Sequence, residues 1–404
     1  MTDSRATDPP AATDPPAATD PATATAPPAV DLVETETETQ LRAAVREMLT
    51  QLSPPEQVLA RCESADLDPD RRLWQTLARE MGLAGLAIPE RYEGGGAGWR
   101  EVSVVLTELG RAIAPVPYLG SAVLATAALL AAPPGPARDE LLRSLAAGDA
   151  VAALTVPFAT PPGRWAPTVV ADEDQLLTGA VVGVADAGAA TTLLVPTESG
   201  LYAVPATAAG VTGNSVTSFD LTRPLCDLRL SQAVGQRLTD PPAGAAAVAT
   251  ALTTGAALLA AEQVGVAQWC LDTTVDYVRT RHQFGRPVGS FQAVKHRLAD
   301  VWVAVSQARA VADYAAAVLA QAESTEAGGA AGEAVVAAAL AQSFCAPVAV
   351  AAAEECVQLH GGIGFTWEHP AHLFLKRAKS AAVALGSADR HRGALASAVN
   401  LPAA

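Results

Sequence analysis

Apolar residues recur along this chain with two different periods, and the change of period divides it. Leu41, Val45, Met48 and Leu52 follow 4-3-4 spacing, one face of a helix that begins near Asp31 and stops at Pro54-Pro55. Asp70 is placed to cap a second helix carrying Leu73, Leu77 and Met81, which Gly82 ends. Gly85-Leu86-Ala87-Ile88-Pro89-Glu90 and the cluster Gly94-Gly95-Gly96 then form a loop. Two more helices are predicted after it, Glu101 to Ile113 and Ser121 to Ala131. From Val151 to Leu230 the chain is rich in β-branched residues, Gly and Pro. Strands are predicted at Ala152–Val156, Gln175–Val184, Thr191–Val195, Leu201–Val204 and Asp227–Leu230. The helical period returns near Ala245. Val264, Leu271, Val275 and Val278 share one face, Leu298, Val301 and Val305 another, and Ala331 to Leu359 is a long Ala-rich run suited to close helix packing. Helices, then strands, then helices describe an α+β chain with segregated layers: an all-helical block over 31–150, a β block over 151–240 and a helical block over 241–404.

Residues 1–30 stand apart. The Thr-Asp-Pro-Pro-Ala-Ala unit at Thr7 repeats at Thr13, no large apolar side chain is available until Val30, and a disordered tail is expected. The 404 residues carry 27 Lys and Arg against 42 Asp and Glu, a formal charge of −15 that disfavours nucleic acid or an anionic membrane as main partner. Five scattered cysteines give neither a disulfide framework nor a zinc spacing and fit a cytoplasmic protein. No signal peptide and no membrane span are read from the sequence. Glycine-rich nucleotide fingerprints, nucleophile elbows and His-Glu-x-x-His are absent. His369 and His372 have only Glu368 nearby, with Pro370 between, so no metal is expected.

Two segments near the end are loaded with donors around Gly/Pro turns. The first runs Arg281-His282-Gln283-Phe284-Gly285-Arg286-Pro287, continues through Phe291-Gln292, and reaches His296 and Asp300. The second is Gln358-Leu359-His360-Gly361-Gly362-Ile363-Gly364-Phe365. Arg281 offers a planar fork for phosphate, and Gln358 with the Gly361-Gly362 amides suits an anion at close backbone approach. The same residue types also make tight turns, with Arg281 in an ordinary salt bridge. On their own the residues leave both readings open.

Taken together, the two segments resemble the C-terminal signatures of the acyl-CoA dehydrogenases, Arg-x-x-Phe-Gly…Phe-Gln-x-x-x-His-x-x-Ala-Asp and Gln-x-x-Gly-Gly-x-Gly-Phe. Gly85 to Glu90, Tyr92 and Gly94-Gly95 resemble that family's N-terminal stretch, with Glu93 as one extra residue. The resemblance covers roughly residues 31–400. It implies a helical N-terminal domain, a central β domain, a C-terminal four-helix bundle, and FAD at an interface between subunits. Arg281, Phe284, Gln292, Gln358, Gly361 and Gly362 would bind the cofactor. The reaction it implies is α,β-desaturation of an acyl-CoA, with electron-transfer flavoprotein as a candidate acceptor.

The departures from the family pattern are selective. Its carboxylate base stands before Gly-Thr, where this chain reads Ala384-Leu385-Gly386-Ser387. The alternative base position falls on Gly255, and neither residue can take a proton. Glu262, two helical turns beyond Gly255, is a candidate base only for a shifted substrate. Glu368 and Asp389 are weaker candidates. The loop that touches the flavin from its own subunit is replaced by Leu154 to Gly163, and the flavin strand by Thr178 to Val182. The chain thus resembles the non-catalytic subunit of actinobacterial heteromeric (α2β2) acyl-CoA dehydrogenases, completing the FAD site of a homologous partner acting on a bulky acyl-CoA. Two alternatives remain: a self-sufficient, homo-oligomeric flavoenzyme with an unusual base, and a redox-free scaffold.

Overall fold

The computed structural model describes residues 30–64, 68–324, 329–399 and 401. The expected tail, 1–30, lies outside the described residues except for Val30, and the account below concerns Leu32 onward, which is one compact unit. Helix α1, Glu36–Leu52, starts five residues later than expected. The Thr35 hydroxyl accepts from the Glu38 amide, and the Glu38 carboxylate accepts in return from the Thr35 amide. Pro54 and Pro55 end α1 and at once open α2, Pro55–Glu63, because proline suits the first helical turn. Asp70 caps α3, Arg71–Gln75, accepting from the Leu73 amide, and a π-helical turn, Thr76–Glu80, completes it before Gly82. Helix α4, Trp99–Arg111, matches expectation. The next predicted helix is a π-helical stretch, Tyr118–Ala125, running into α5, Thr126–Ala131. Helix α6, Pro136–Ala146, was not anticipated.

The β block is two four-stranded sheets face to face. In one, β1 (Ala152–Leu154) pairs parallel with β4 (Thr192–Thr197), which pairs antiparallel with β5 (Gly200–Pro205) and through it β8 (Gln236–Arg237). The other is antiparallel: β2 (Val169–Ala171), β3 (Leu176–Ala185), β7 (Leu225–Val234) and β6 (Val211–Val216), in that spatial order. Leu177, Val181, Val184, Leu193, Val195, Tyr202 and Leu228 from their inner faces fill one shared core.

Helix α9, Gly329–His360, is the hub of the last block, with α7 (Pro241–Thr280), α8 (Gln292–Ser324), α10 (Ala371–Ala381) and α11 (Ala388–Ala398) packed against it. Small residues set the spacing. A Cβ on Gly265 would fall on the Thr107 carbonyl oxygen, and one on Gly110 on the Glu262 carbonyl oxygen, so α4 and α7 cross backbone to backbone. Alanines 256, 260, 337, 341 and 353, each under 2% exposed, let α7 and α9 pack as closely. Pro241–Thr280 and Gly332–Phe365 are each long and apolar enough to cross a membrane by length and composition, but 67% and 50% of those apolar windows are buried in the interior. Their apolarity serves the helix–helix core.

Candidate functional site

The two C-terminal motifs meet at one end of the helical block. Strands β9 (His282–Gln283) and β10 (Arg286–Pro287) form a miniature hairpin whose turn residues, Phe284 and Gly285, have φ of 54° and 77°. Positive φ at both central positions is the primed-turn geometry of a tight hairpin. The turn pushes Phe284 outward, 90% exposed. The Phe291 ring meets it edge-on at 6.1 Å, and the Arg286 guanidinium lies 3.9 Å above Phe291. Arg281 ends α7. Its carbonyl accepts from the Val288 amide at 2.8 Å, while its exposed guanidinium has no hydrogen-bond or acidic partner among the described residues. Among the described residues no salt bridge to Arg281 is formed.

Tyr277, one turn before Arg281, stacks on His360 at 4.4 Å, and this contact brings the second motif alongside. His360 meets His369 with rings tilted 36° at 4.4 Å, and Trp269 lies flat on Phe374 at 3.6 Å, so the junction is a run of ring contacts. Above it Gln292, Gln358, Gly361 and Gly362 are exposed, and a Cβ on either glycine would meet open space. Exposed Arg279, Arg286, Lys295 and Arg297 surround them, the last paired with Glu355 at 2.6 Å. Phe365, at the end of the second motif and 72% exposed, adds an aromatic ring to the exposed donors. That donor set fits a diphosphate, with an arginine fork, two primary amides and unobstructed glycine backbone.

The opposite arrangement holds at the two positions where a base is expected. Gly255 and Leu385 lie side by side: a Cβ on Gly255 would stand 3.2 Å from Leu385 Cδ1 and would overlap Leu124 Cδ2. Leu124 and Leu385 are 4% and 0% exposed. The turn carrying Leu385 is fastened from several sides. Leu385 itself adopts φ +53°, its amide donates to the Phe158 carbonyl at 2.7 Å, and its carbonyl accepts from His391 Nε2 at 2.9 Å. A Cβ on Gly386 would stand 2.8 Å from Pro161 Cβ. The segment Leu154 to Gly163 is thus folded inward onto this turn. Phe158 is buried and its amide donates to the Gly183 carbonyl at 2.9 Å.

Glu262 is 2% exposed and lies between two guanidiniums. Arg223 Nη2 donates to one carboxylate oxygen, and Arg377 Nη1 to the other at 3.2 Å. Burial pushes its carboxyl up, but the two arginines more than offset this and hold it below the usual carboxylate range. Arg377 continues to Asp220 at 2.6 Å and to the Thr222 hydroxyl at 2.6 Å. The Glu368 side chain is exposed, and Asp389 is an exposed partner of Arg392. Leu124, Asp186, Asp220, Arg223 and Arg377 were not singled out from sequence. The one local signal was a charged residue on an otherwise apolar stripe, Arg377 among buried Leu373, Phe374, Ala378 and Ala381.

Residues 35–149 match the family profile "Acyl-CoA dehydrogenase, N-terminal domain", and residues 243–400 match "Acyl-CoA dehydrogenase, C-terminal domain". The chain belongs to the acyl-CoA dehydrogenase family. It is 36% identical to the acyl-CoA dehydrogenase IpdE2 of Mycolicibacterium smegmatis over 87% of this chain and 95% of that protein. It is 33% identical to FadE27 of Mycobacterium tuberculosis over 89% and 96%. Among solved structures, a chain of the ChsE4-ChsE5 complex from Mycobacterium tuberculosis is similar with a TM-score of 0.78 and 28% identity, over 93% of this chain and all of that one. A chain of a Tcur3481-Tcur3483 steroid ACAD variant is similar with a TM-score of 0.78 and 29% identity, over 90% and 98%. Butyryl-CoA dehydrogenase from Megasphaera elsdenii, at 21% identity and a TM-score of 0.81, shares the fold.

Proposed function

We propose that this acyl-CoA dehydrogenase family chain is the base-less subunit of a heteromeric enzyme, completing the FAD site of a homologous catalytic partner for α,β-desaturation of a bulky, steroid-type acyl-CoA. One asymmetry carries the reading. The candidate cofactor residues stand exposed, with no side-chain hydrogen-bond or salt-bridge partner among the described residues, while both base positions are sealed by leucine side chains. A self-contained enzyme needs a base in contact with substrate, whereas a complementing subunit needs only the exposed half-site. The similarity to chains of two complexes, ChsE4-ChsE5 and the Tcur3481-Tcur3483 steroid ACAD, supports a heteromer and its substrate class.

In this role Arg281 binds the FAD diphosphate as a bidentate fork. Gln292 and Gln358 would offer amide donors, the Gly361 and Gly362 amides are open to approach without side-chain hindrance, and Phe284 would supply an apolar face that excludes water. FAD, when bound, supplies the hydride acceptor. The partner supplies the base, because Glu262 is committed to Arg223 and Arg377 and is assigned a structural role. Co-expression with a homologous subunit tests the assignment. The pair is expected to carry flavin and to bleach with acyl-CoA, and this chain alone to carry none.

A further inference from the structure

Five charged side chains, each 5% exposed or less, meet where the three layers join: Asp186, Asp220, Arg223, Glu262 and Arg377. Three carboxylates face two guanidiniums, so the fully ionised cluster holds one negative charge in excess. Glu262 and Asp220 are in direct ion pairs. Asp186 is in none among the described residues, and its Oδ2 instead accepts from the Gly120 amide at 2.9 Å. A Cβ on Gly120 would stand 2.6 Å from that oxygen, so carboxyl and helix start are in direct contact. Gly120 lies in the first turn of Tyr118–Ala131, the helical run that carries Leu124 onto Gly255 and Leu385.

We propose that this cluster is a proton-linked latch on the space around Gly255 and Leu385, the cleft that Leu124 fills. With the cleft shut, Asp186 takes a proton from water and the cluster becomes neutral. When Tyr118–Ala131 moves away and water enters, Asp186 returns that proton. The charged groups acting on Asp186 are Arg223 on the β6–β7 connection, Arg377 on α10 and Glu262 on α7. Burial pushes Asp186 up to about 6, against the pull of Arg223, the Gly120 amide and Arg377 and with a further push from Glu262. Its shut-state value lies above its ordinary one. The latch is therefore fully set below the ordinary carboxylate range and is released as pH rises through about 6. This inference concerns the single chain and is independent of the cofactor reading.

Hydrogen exchange of the full chain between pH 5 and pH 7.5, corrected for intrinsic base catalysis, tests it on peptides covering residues 118–131. The opening constant is expected to rise about tenfold over that window, the upper part of the roughly 100-fold that a two-unit shift gives over the whole acid range. The rise should fall mostly between pH 5 and about 6 and level off above that, be missing from peptides of α9, and be abolished in Asp186→Asn. A flat wild-type profile overturns the latch, as does a rise that Asp186→Asn leaves intact or that α9 shares. Should Asp186→Asn not fold, Asp186→Ser keeps an oxygen acceptor for the Gly120 amide and answers the same question. The contrast between 118–131 and α9 in the wild type decides without either variant.

Discussion

Restoring the carboxylate at the family's base position, Leu385→Glu, is expected to break this chain rather than give it activity. The wild-type side chain is 0% exposed and packs beside Leu124 and Gly255. Removing a fully buried leucine forfeits about 2–3 kcal/mol of burial. A glutamate there has no cation within the apolar contact that replaces it, so it folds only as the neutral acid. Holding a carboxyl of ordinary pKa near 4.3 protonated at pH 7 costs about 4 kcal/mol. The sum, about 6 kcal/mol, rivals the whole stability of many domains. The variant's folded-state pKa is raised, so the penalty must shrink as pH falls: at pH 5 the protonation cost is only about 1 kcal/mol. Urea unfolding at both pH values, with a dye-linked acyl-CoA assay on the lone chain, measures this. A variant within about 1 kcal/mol of wild type at pH 7, or one that turns over acyl-CoA by itself, would refute the closed-cleft account.

Further outcomes follow from the same packing. Glu262→Gln leaves two buried guanidiniums short of their counter-charge and should cost about 3–5 kcal/mol by chemical denaturation. Flavin content of the partnered complex should stay unchanged in whatever fraction folds. Because Arg223 and Arg377 depress the folded-state pKa of Glu262, its contribution to stability is complete above the ordinary carboxylate range and is lost as pH falls below it; acid unfolding of wild type against Glu262→Gln should show that difference. Gly265→Ala drives a methyl group into the Thr107 carbonyl and should destabilise by about 3 kcal/mol or more, read from the melting temperature. Phe284→Ala removes a side chain that is 90% exposed, so the lone chain should keep its stability within about 0.5 kcal/mol while the complex loses flavin on gel filtration.

How much of this was legible beforehand follows from how local each feature is. The face of α1 could be read because one apolar stripe meets one core, whereas Val102–Gly110 of α4 and Thr254–Ala267 of α7 are buried on every side and show only that they are helical. Strand β6 was missed because five of its six residues are exposed and Val-Thr-Gly-Asn-Ser-Val gives no alternation. Pro54-Pro55 was read as a stop when it is also a start. The π-helical turns at Thr76–Glu80 and Tyr118–Ala125 carry no periodic signal that separates them from α-helix. At the site, Arg281, Phe284, Gln292, Gln358, Gly361 and Gly362 could be named from two short segments, because each segment is itself a structural unit. That Gly255 and Leu385 abut, and that Leu124 seals them, depends on two helical segments and a turn far apart in the chain. The ion cluster likewise joins Asp220 to Arg377 across 157 residues, a separation no motif spans.

The central claim is that this chain gives half of a shared FAD site and no base. The most direct measurement is flavin absorbance of the purified chain alone, of its complex with a homologous subunit, and of the complex carrying Arg281→Ala in this chain. The account predicts a colourless lone chain, a yellow complex, and a loss of flavin affinity of about tenfold or more with Arg281→Ala, from the loss of one charge-assisted bidentate contact. A lone chain that purifies with one flavin per subunit and is bleached by acyl-CoA would contradict it.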